Sequence, residues 1–114
     1  MKREVIRFNI RCLVFSKCNY MCARCGKKLQ IFKEGSTIDH IIPLSRGGEN
    51  DSRNMVSMCF KCNRRKGNNL VIPRYYYKFL DEDIILEIEG YFLENRSILS
   101  KYKKFWLSFI NSLS

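Results

Sequence analysis

Two Cys-x-x-Cys pairs constrain this 114-residue chain more than any other feature. Cys22-Ala23-Arg24-Cys25 and Cys59-Phe60-Lys61-Cys62 are separated by 33 intervening residues. Each tight turn aims two sulfurs at one point. Together they supply the four thiolates that tetrahedral Zn²⁺ takes in structural sites. The opening Met1-Lys2-Arg3-Glu4 carries no apolar signal core, so a cytoplasmic setting is expected. Thiols stay reduced there, which favours a metal over a disulfide framework. Gly26 suits the first turn, and Lys27, Lys28, Lys61, Arg64 and Arg65 would offset the negative charge of a four-thiolate centre. Cys12 sits on an apolar stretch and reads as a small core residue. Cys18 stays open as a rival ligand, with a poorer three-residue spacing to Cys22.

The rest of the composition narrows the class. One small domain, or one domain with an appendage, fits this length, which excludes a large enzyme with separate cofactor and substrate domains. No apolar run approaches the roughly 18 residues of a membrane span, so no membrane partner is expected. The net charge is +10 and unevenly placed. Residues 1–35 hold nine Lys/Arg against two Asp/Glu, and residues 36–74 hold seven against three. Residues 75–114 hold five against six. A basic body of this size favours a polyanion partner through counterion release, although solubility alone is also served.

Periodicity gives a coarse architecture. Val5, Ile6, Ile10, Leu13 and Val14 recur at roughly helical spacing over residues 2–16, though their β-branched content also suits a strand. A short strand is expected within 27–33. Residues 36–42 read as a strand stopped by Pro43, and 45–52 as a Gly-rich polar loop. Met55–Met58 reads as the returning strand. Phe60–Lys66 reads as a helix ending at Gly67-Asn68-Asn69. Pro73 marks a boundary between a body at 1–74 and a helical extension at 75–114. In the extension, Phe79–Leu93 and Ile98–Leu113 each carry helical periodicity, with Asp81 or Asp83 as a cap and a break at Glu94–Ser97. The extension either packs on the body or offers a docking face to a partner protein or a second copy.

The chemistry-bearing residues lie between and just after the cysteine pairs. They are Asp39-His40-Ile41-Ile42-Pro43, then Arg46-Gly47-Gly48, Asn54, and Cys62-Asn63 followed by Arg64, Arg65, Lys66 and Gly67. Residues 11–69 resemble the HNH family of nucleases, in the subgroup whose ββα-metal core is clamped by a four-cysteine zinc. The implied fold is a small α+β domain with a helical C-terminal extension. The implied activity is metal-dependent hydrolysis of phosphodiester bonds, with duplex DNA as substrate and Mg²⁺ or Mn²⁺ as catalytic ion. Relatives of this kind occur in phages, mobile introns and restriction or defence systems.

The resemblance assigns His40 as general base, Asp39 and Asn63 as ligands of the catalytic ion, and Asn54 as the residue that pins the loop and so orients His40. It also places Cys18 where an acidic residue is common, outside the ligand set. Read as residues alone, these positions keep other meanings. Histidine titrates near neutrality, which suits a base, and His40 is the chain's single histidine. A lone histidine also serves structural roles. An Asn amide oxygen suits Mg²⁺, yet Asn63 could equally cap a helix start, and Asn54 could be a turn residue. Arg46, Arg64, Arg65 and Lys66 are candidates for a phosphate track, or form a solvated basic face. The competing function is a zinc-stapled module that binds nucleic acid or protein without catalysis.

Overall fold

A computed structural model describes residues 6–114. The predicted N-terminal helix begins later than expected: helix α1 spans Phe8–Lys17, and residues 2–5 of the predicted span lie outside the described residues. Val14 and Phe15 are its buried anchors. It ends where Asn19 and Tyr20 both take φ of 54°, a left-handed turn that throws the chain into the first cysteine pair. The strand expected within 27–33 is not formed. A single antiparallel bridge joins Met21 to Lys28, and the following residues are turns. Cys12, expected in the core, is half-buried.

The sheet is one antiparallel pair. Strand β1 (Ser36–His40) and strand β2 (Met55–Cys59) run in register from Ser36 opposite Cys59 to His40 opposite Met55. All five residues of β2 are buried. Strand β1 stops two residues before the predicted end, although Ile41 still donates to the carbonyl of Asn54 at 2.9 Å. The connecting loop is tight. Gly48 donates to the Pro43 carbonyl, and a Cβ at Gly48 would lie 1.7 Å from the Ile42 carbonyl oxygen. Only glycine permits that approach. Helix α2 (Phe60–Lys66) follows β2 directly and ends at Gly67, as read from sequence.

The extension is more broken than its periodicity predicts. It comprises one turn, α3 (Pro73–Tyr76), then α4 (Glu82–Glu94), α5 (Arg96–Leu99) and α6 (Lys103–Ser112). Asp81 occupies the N-cap position of α4 without a side-chain cap bond. The break after α4 is narrower than expected, at Asn95, and the single helix expected over 98–113 is interrupted at Ser100–Tyr102. That interruption divides the apolar stripe between two jobs. Ile98 packs against Gly47 of the loop, while Phe105 and Phe109 pack on Phe92 with ring centroids 5.9 and 5.2 Å away.

One apolar cluster joins body and extension. Phe15, Ile41, Ile42, Val56 and Met58 share it with Tyr77, Ile88, Tyr91, Phe92 and Phe109. The extension therefore closes the core of the body. Its other face leaves Leu86 and Leu93 of α4, and Leu107 and Ile110 of α6, exposed.

Candidate functional site

The four paired cysteines converge. The Sγ atoms of Cys22, Cys25, Cys59 and Cys62 all lie within 4.8 Å of one another, and Cys25 and Cys59 are 3.8 Å apart. A tetrahedron of sulfurs about 2.3 Å from zinc has edges of about 3.8 Å, so the cluster fits that ion. The first turn is shaped for it: the Cys25 amide faces the Cys22 sulfur at 3.5 Å, and the Gly26 amide donates to the Cys22 carbonyl. Burial pushes the Cys22 and Cys62 thiols above their ordinary range, and neighbouring thiols push Cys62 the same way. Burial acts upward on Cys59 too, but hydrogen bonds from Cys62 and the other cysteines outweigh it and hold Cys59 below that range. Cys18 stands apart from the cluster. It is buried, with the Ser57 amide 3.4 Å from its sulfur.

The cluster ties the turn at Cys22 and Cys25 to the end of β2 and to α2, and the candidate active site forms at the opposite end of the strand pair. Strand pleating sends adjacent side chains to opposite faces. Asp39 accordingly turns inward and is 3% exposed, while His40 remains half-buried at the strand end. His40 Nε2 lies 2.5 Å from Asn50 Oδ1. Helix α2 lies across β1 through two side chains one turn apart. Asn63 donates from Nδ2 to Thr37 Oγ1 at 2.9 Å and to the Ile38 carbonyl at 3.3 Å. Lys66 donates from Nζ to the His40 carbonyl at 3.0 Å and pairs with Asp39 Oδ1 at 3.1 Å. The N-cap of α2 is Cys59, so Asn63 is not a helix-start cap.

Asp39 has a second partner. The buried Tyr77 hydroxyl donates to Asp39 Oδ2 at 2.9 Å. Burial pushes the Asp39 carboxyl above the usual carboxylate range, against the opposing pull of the Lys66 ammonium and the Tyr77 hydroxyl. Asn54 is fully buried and clamps the loop. Its Oδ1 accepts from the Ile42 amide at 2.7 Å, and its Nδ2 donates to the carbonyls of Ile42 and Glu49, each at 3.0 Å. That clamp fixes both ends of the loop that brings Asn50 to His40.

The expected phosphate track is only partly exposed. Arg64 and Arg65 lie exposed on α2. Lys66, expected beside them, is 2% exposed and held by Asp39, because the helix turns it inward. Arg46 is also engaged. Its Nε donates to the Asn68 carbonyl at 2.5 Å, and its guanidinium lies 4.8 Å from the Tyr102 ring centroid. Sequence reasoning missed Asn50 and Tyr77. Asn50 is one polar residue in a polar loop, and Tyr77 belongs to a run of three tyrosines with no periodic signal.

The donor set can be tested for a catalytic ion. Asn63 uses its amide nitrogen for both hydrogen bonds, and its Oδ1 accepts none among the described residues. Asp39 adds a carboxylate whose Oδ1 already faces a cation, Lys66. Both Asp39 oxygens are engaged, Oδ1 by Lys66 and Oδ2 by Tyr77, so a hard, oxygen-preferring ion would share the carboxylate with these partners or displace one of them.

Helix α1, the two-stranded sheet and the crossing helix α2 form a small α+β unit with a four-cysteine cluster and an Asp-His pair. The family model described as HNH endonuclease matches residues 22–69. A curated relative, the CRISPR-associated endonuclease Cas9 of Corynebacterium diphtheriae, is 39% identical over 51 residues. That match covers 44% of this chain and 4% of the relative. Among solved structures, the Type II-C Cas9 enzyme from Actinomyces naeslundii superposes with a TM-score of 0.53 at 19% identity. It covers 77% of this chain and 13% of that one, a likeness of fold. The chain thus spans a small fraction of the length of either Cas9. No helix among the described residues is long and apolar enough to cross a membrane.

Proposed function

We propose that the chain is a metal-dependent endonuclease that hydrolyses phosphodiester bonds in duplex DNA, by nicking or by cutting both strands. The observation that carries this reading is the placement of His40: half-exposed at the end of β1, held through Nε2 by Asn50, beside the inward Asp39. Asn50 Oδ1 is an acceptor, so the Nε2 proton of His40 stays in that bond. Nδ1 is then the basic nitrogen and takes the proton of the attacking water. The Lys66 bond to the His40 carbonyl holds the strand end from behind. Asn54 keeps the loop, and with it Asn50, in place.

Asp39 and Asn63 would hold Mg²⁺ or Mn²⁺, which supplies Lewis-acid stabilisation of charge on the phosphate and the leaving oxygen. Arg64 and Arg65 offer exposed cations to flanking phosphates. The zinc cluster carries structure and takes no part in the reaction. The expected products are 5′-phosphate and 3′-hydroxyl ends. Supercoiled plasmid incubated with zinc-loaded protein and Mg²⁺ or Mn²⁺ tests the reading. Nicked or linear products with 5′-phosphates support it, and 3′-phosphate ends refute it.

The second reading, a zinc-stapled binder without catalysis, draws on the Lys66–Asp39 ion pair, which already satisfies the acid at the site. Binding of DNA without cleavage in either ion would favour it.

A further inference from the structure

Beside the first cysteine turn lies a cleft of about 520 Å³ that the proposed chemistry does not use. Its rim carries Tyr20, Lys27, Lys28 and Lys33, with Glu34 as the acidic residue of the lining. All three lysines are exposed, and none of their ammonium groups has a hydrogen bond or ion pair among the described residues. Several other cations of the body are committed: Arg11 to the carbonyls of Ile31 and Ser36, Arg46 to Asn68, and Arg53 to Asp51 and Glu94. The cleft thus gathers unspent positive charge around a concave surface.

The cleft is also preformed. Leu29 donates to the Tyr20 carbonyl at 2.7 Å and Cys22 to the Lys27 carbonyl at 2.7 Å, which fixes one wall to the cysteine centre. Arg11 pins the opposite wall through Ile31 and Ser36. Asn19 and Tyr20 hold left-handed φ angles that non-glycine residues adopt rarely, and this turn presents the half-exposed Tyr20 ring at the rim. Three free ammonium groups spread along a concave surface suit the successive phosphates of a nucleic-acid backbone better than a single small anion.

Position links the cleft to the candidate active site. Ser36 lines it and begins β1, and His40 ends β1. Four residues of strand span about 13 Å, roughly four steps of duplex rise. The Gly35 carbonyl, at the lip, accepts from the Phe60 amide at the start of α2, whose exposed Lys61, Arg64 and Arg65 lie along the intervening helix. We infer that this cleft is a second nucleic-acid contact, in which Lys27, Lys28 and Lys33 hold backbone phosphates a few nucleotides from the scissile bond. The inference rests on the nucleic-acid reading above but not on cleavage.

Fluorescence anisotropy with a labelled 20-base-pair duplex tests it, using full-length, zinc-loaded His40→Ala protein without added Mg²⁺. The triple change Lys27→Gln, Lys28→Gln, Lys33→Gln is compared with a control, Lys101→Gln, Lys103→Gln, Lys104→Gln, which removes the same charge from the extension. Each lost phosphate contact lowers the slope of log affinity against log salt by about 0.9. The cleft variant is expected to lose about 2.7 units of slope and bind at least tenfold more weakly at low salt, with the control close to the parent. An unchanged slope in the cleft variant, or an equal loss in the control, overturns the inference. A parent that binds with full slope while His40-intact protein never cuts removes the nuclease reading and leaves the cleft standing.

Discussion

The hydroxyl of Tyr77 donates to Asp39 Oδ2 at 2.9 Å, from a position eight residues beyond the end of the segment that matches the HNH family. Both groups are buried, and Asp39 has Lys66 on its other oxygen. Loss of this donor leaves a buried carboxylate short of one partner, which costs about 1–3 kcal/mol. Tyr77→Phe should therefore lower unfolding stability by that amount. In a double-mutant cycle with Asp39→Asn, the two changes should be coupled. Additive effects in denaturant unfolding would show that the bond contributes nothing.

The cysteine cluster makes a stoichiometric prediction. Purified protein should carry one zinc per chain by elemental analysis. Cys22→Ser or Cys59→Ser should unfold the body, because zinc binding at such sites supplies on the order of 10 kcal/mol of folding free energy. A Cys59→Ser protein that is folded and zinc-free would remove the structural role.

Asn54 and Gly48 carry the loop. Asn54→Ala deletes three hydrogen bonds of a fully buried side chain and should cost about 3 kcal/mol in unfolding experiments. Gly48→Ala places a methyl against the Ile42 carbonyl and should also destabilise. A neutral Gly48→Ala would mean that the loop opens freely.

Asp51 gives the loop a pH signature. Hydrogen bonds from the Arg53 side chain hold its carboxyl below the ordinary 3.8, against a smaller upward effect of burial. A carboxyl lowered in the folded state stabilises above its unfolded pKa, and the contribution is lost as pH falls through the folded value. The Tm difference between parent and Asp51→Asn should hold steady from about pH 7 to 5 and shrink below about pH 4. A difference that grows on acidification would contradict the pairing.

The extension should not be separable. Removal of residues 75–114 takes Tyr77, Ile88, Tyr91, Phe92 and Phe109 out of the shared apolar cluster. A 1–74 fragment should show broadened amide NMR signals even with zinc added. A well-dispersed spectrum would mean that the body is complete without the extension.

What sequence revealed follows from how local each signal is. The cysteine pairs, β2 and α2 were legible because adjacent residues determine them: two fixed spacings, an apolar run, and a helix stopped by Gly67. Asn63 was legible as a site residue, but its two bonds to β1 depend on how α2 crosses the strand. The inward turn of Lys66 depends on the same crossing, whereas its place after Asn63 reads in sequence as a phosphate contact or a solvated cation. Tyr77 reaches Asp39 across 38 positions, and nothing in its neighbourhood marks it. The interruption at Ser100–Tyr102 was hidden because the apolar period continues through it. Tyr102 leaves the helix where its ring meets the Arg46 guanidinium.

His40 as the base of a nuclease is tested by comparing parent and His40→Ala protein, both zinc-loaded, on supercoiled plasmid with Mg²⁺ or Mn²⁺. Nicked or linear DNA is expected from the parent, with at least a hundredfold slower conversion by the variant and equal zinc content and thermal stability in the two. Equal cleavage by parent and variant would contradict that role.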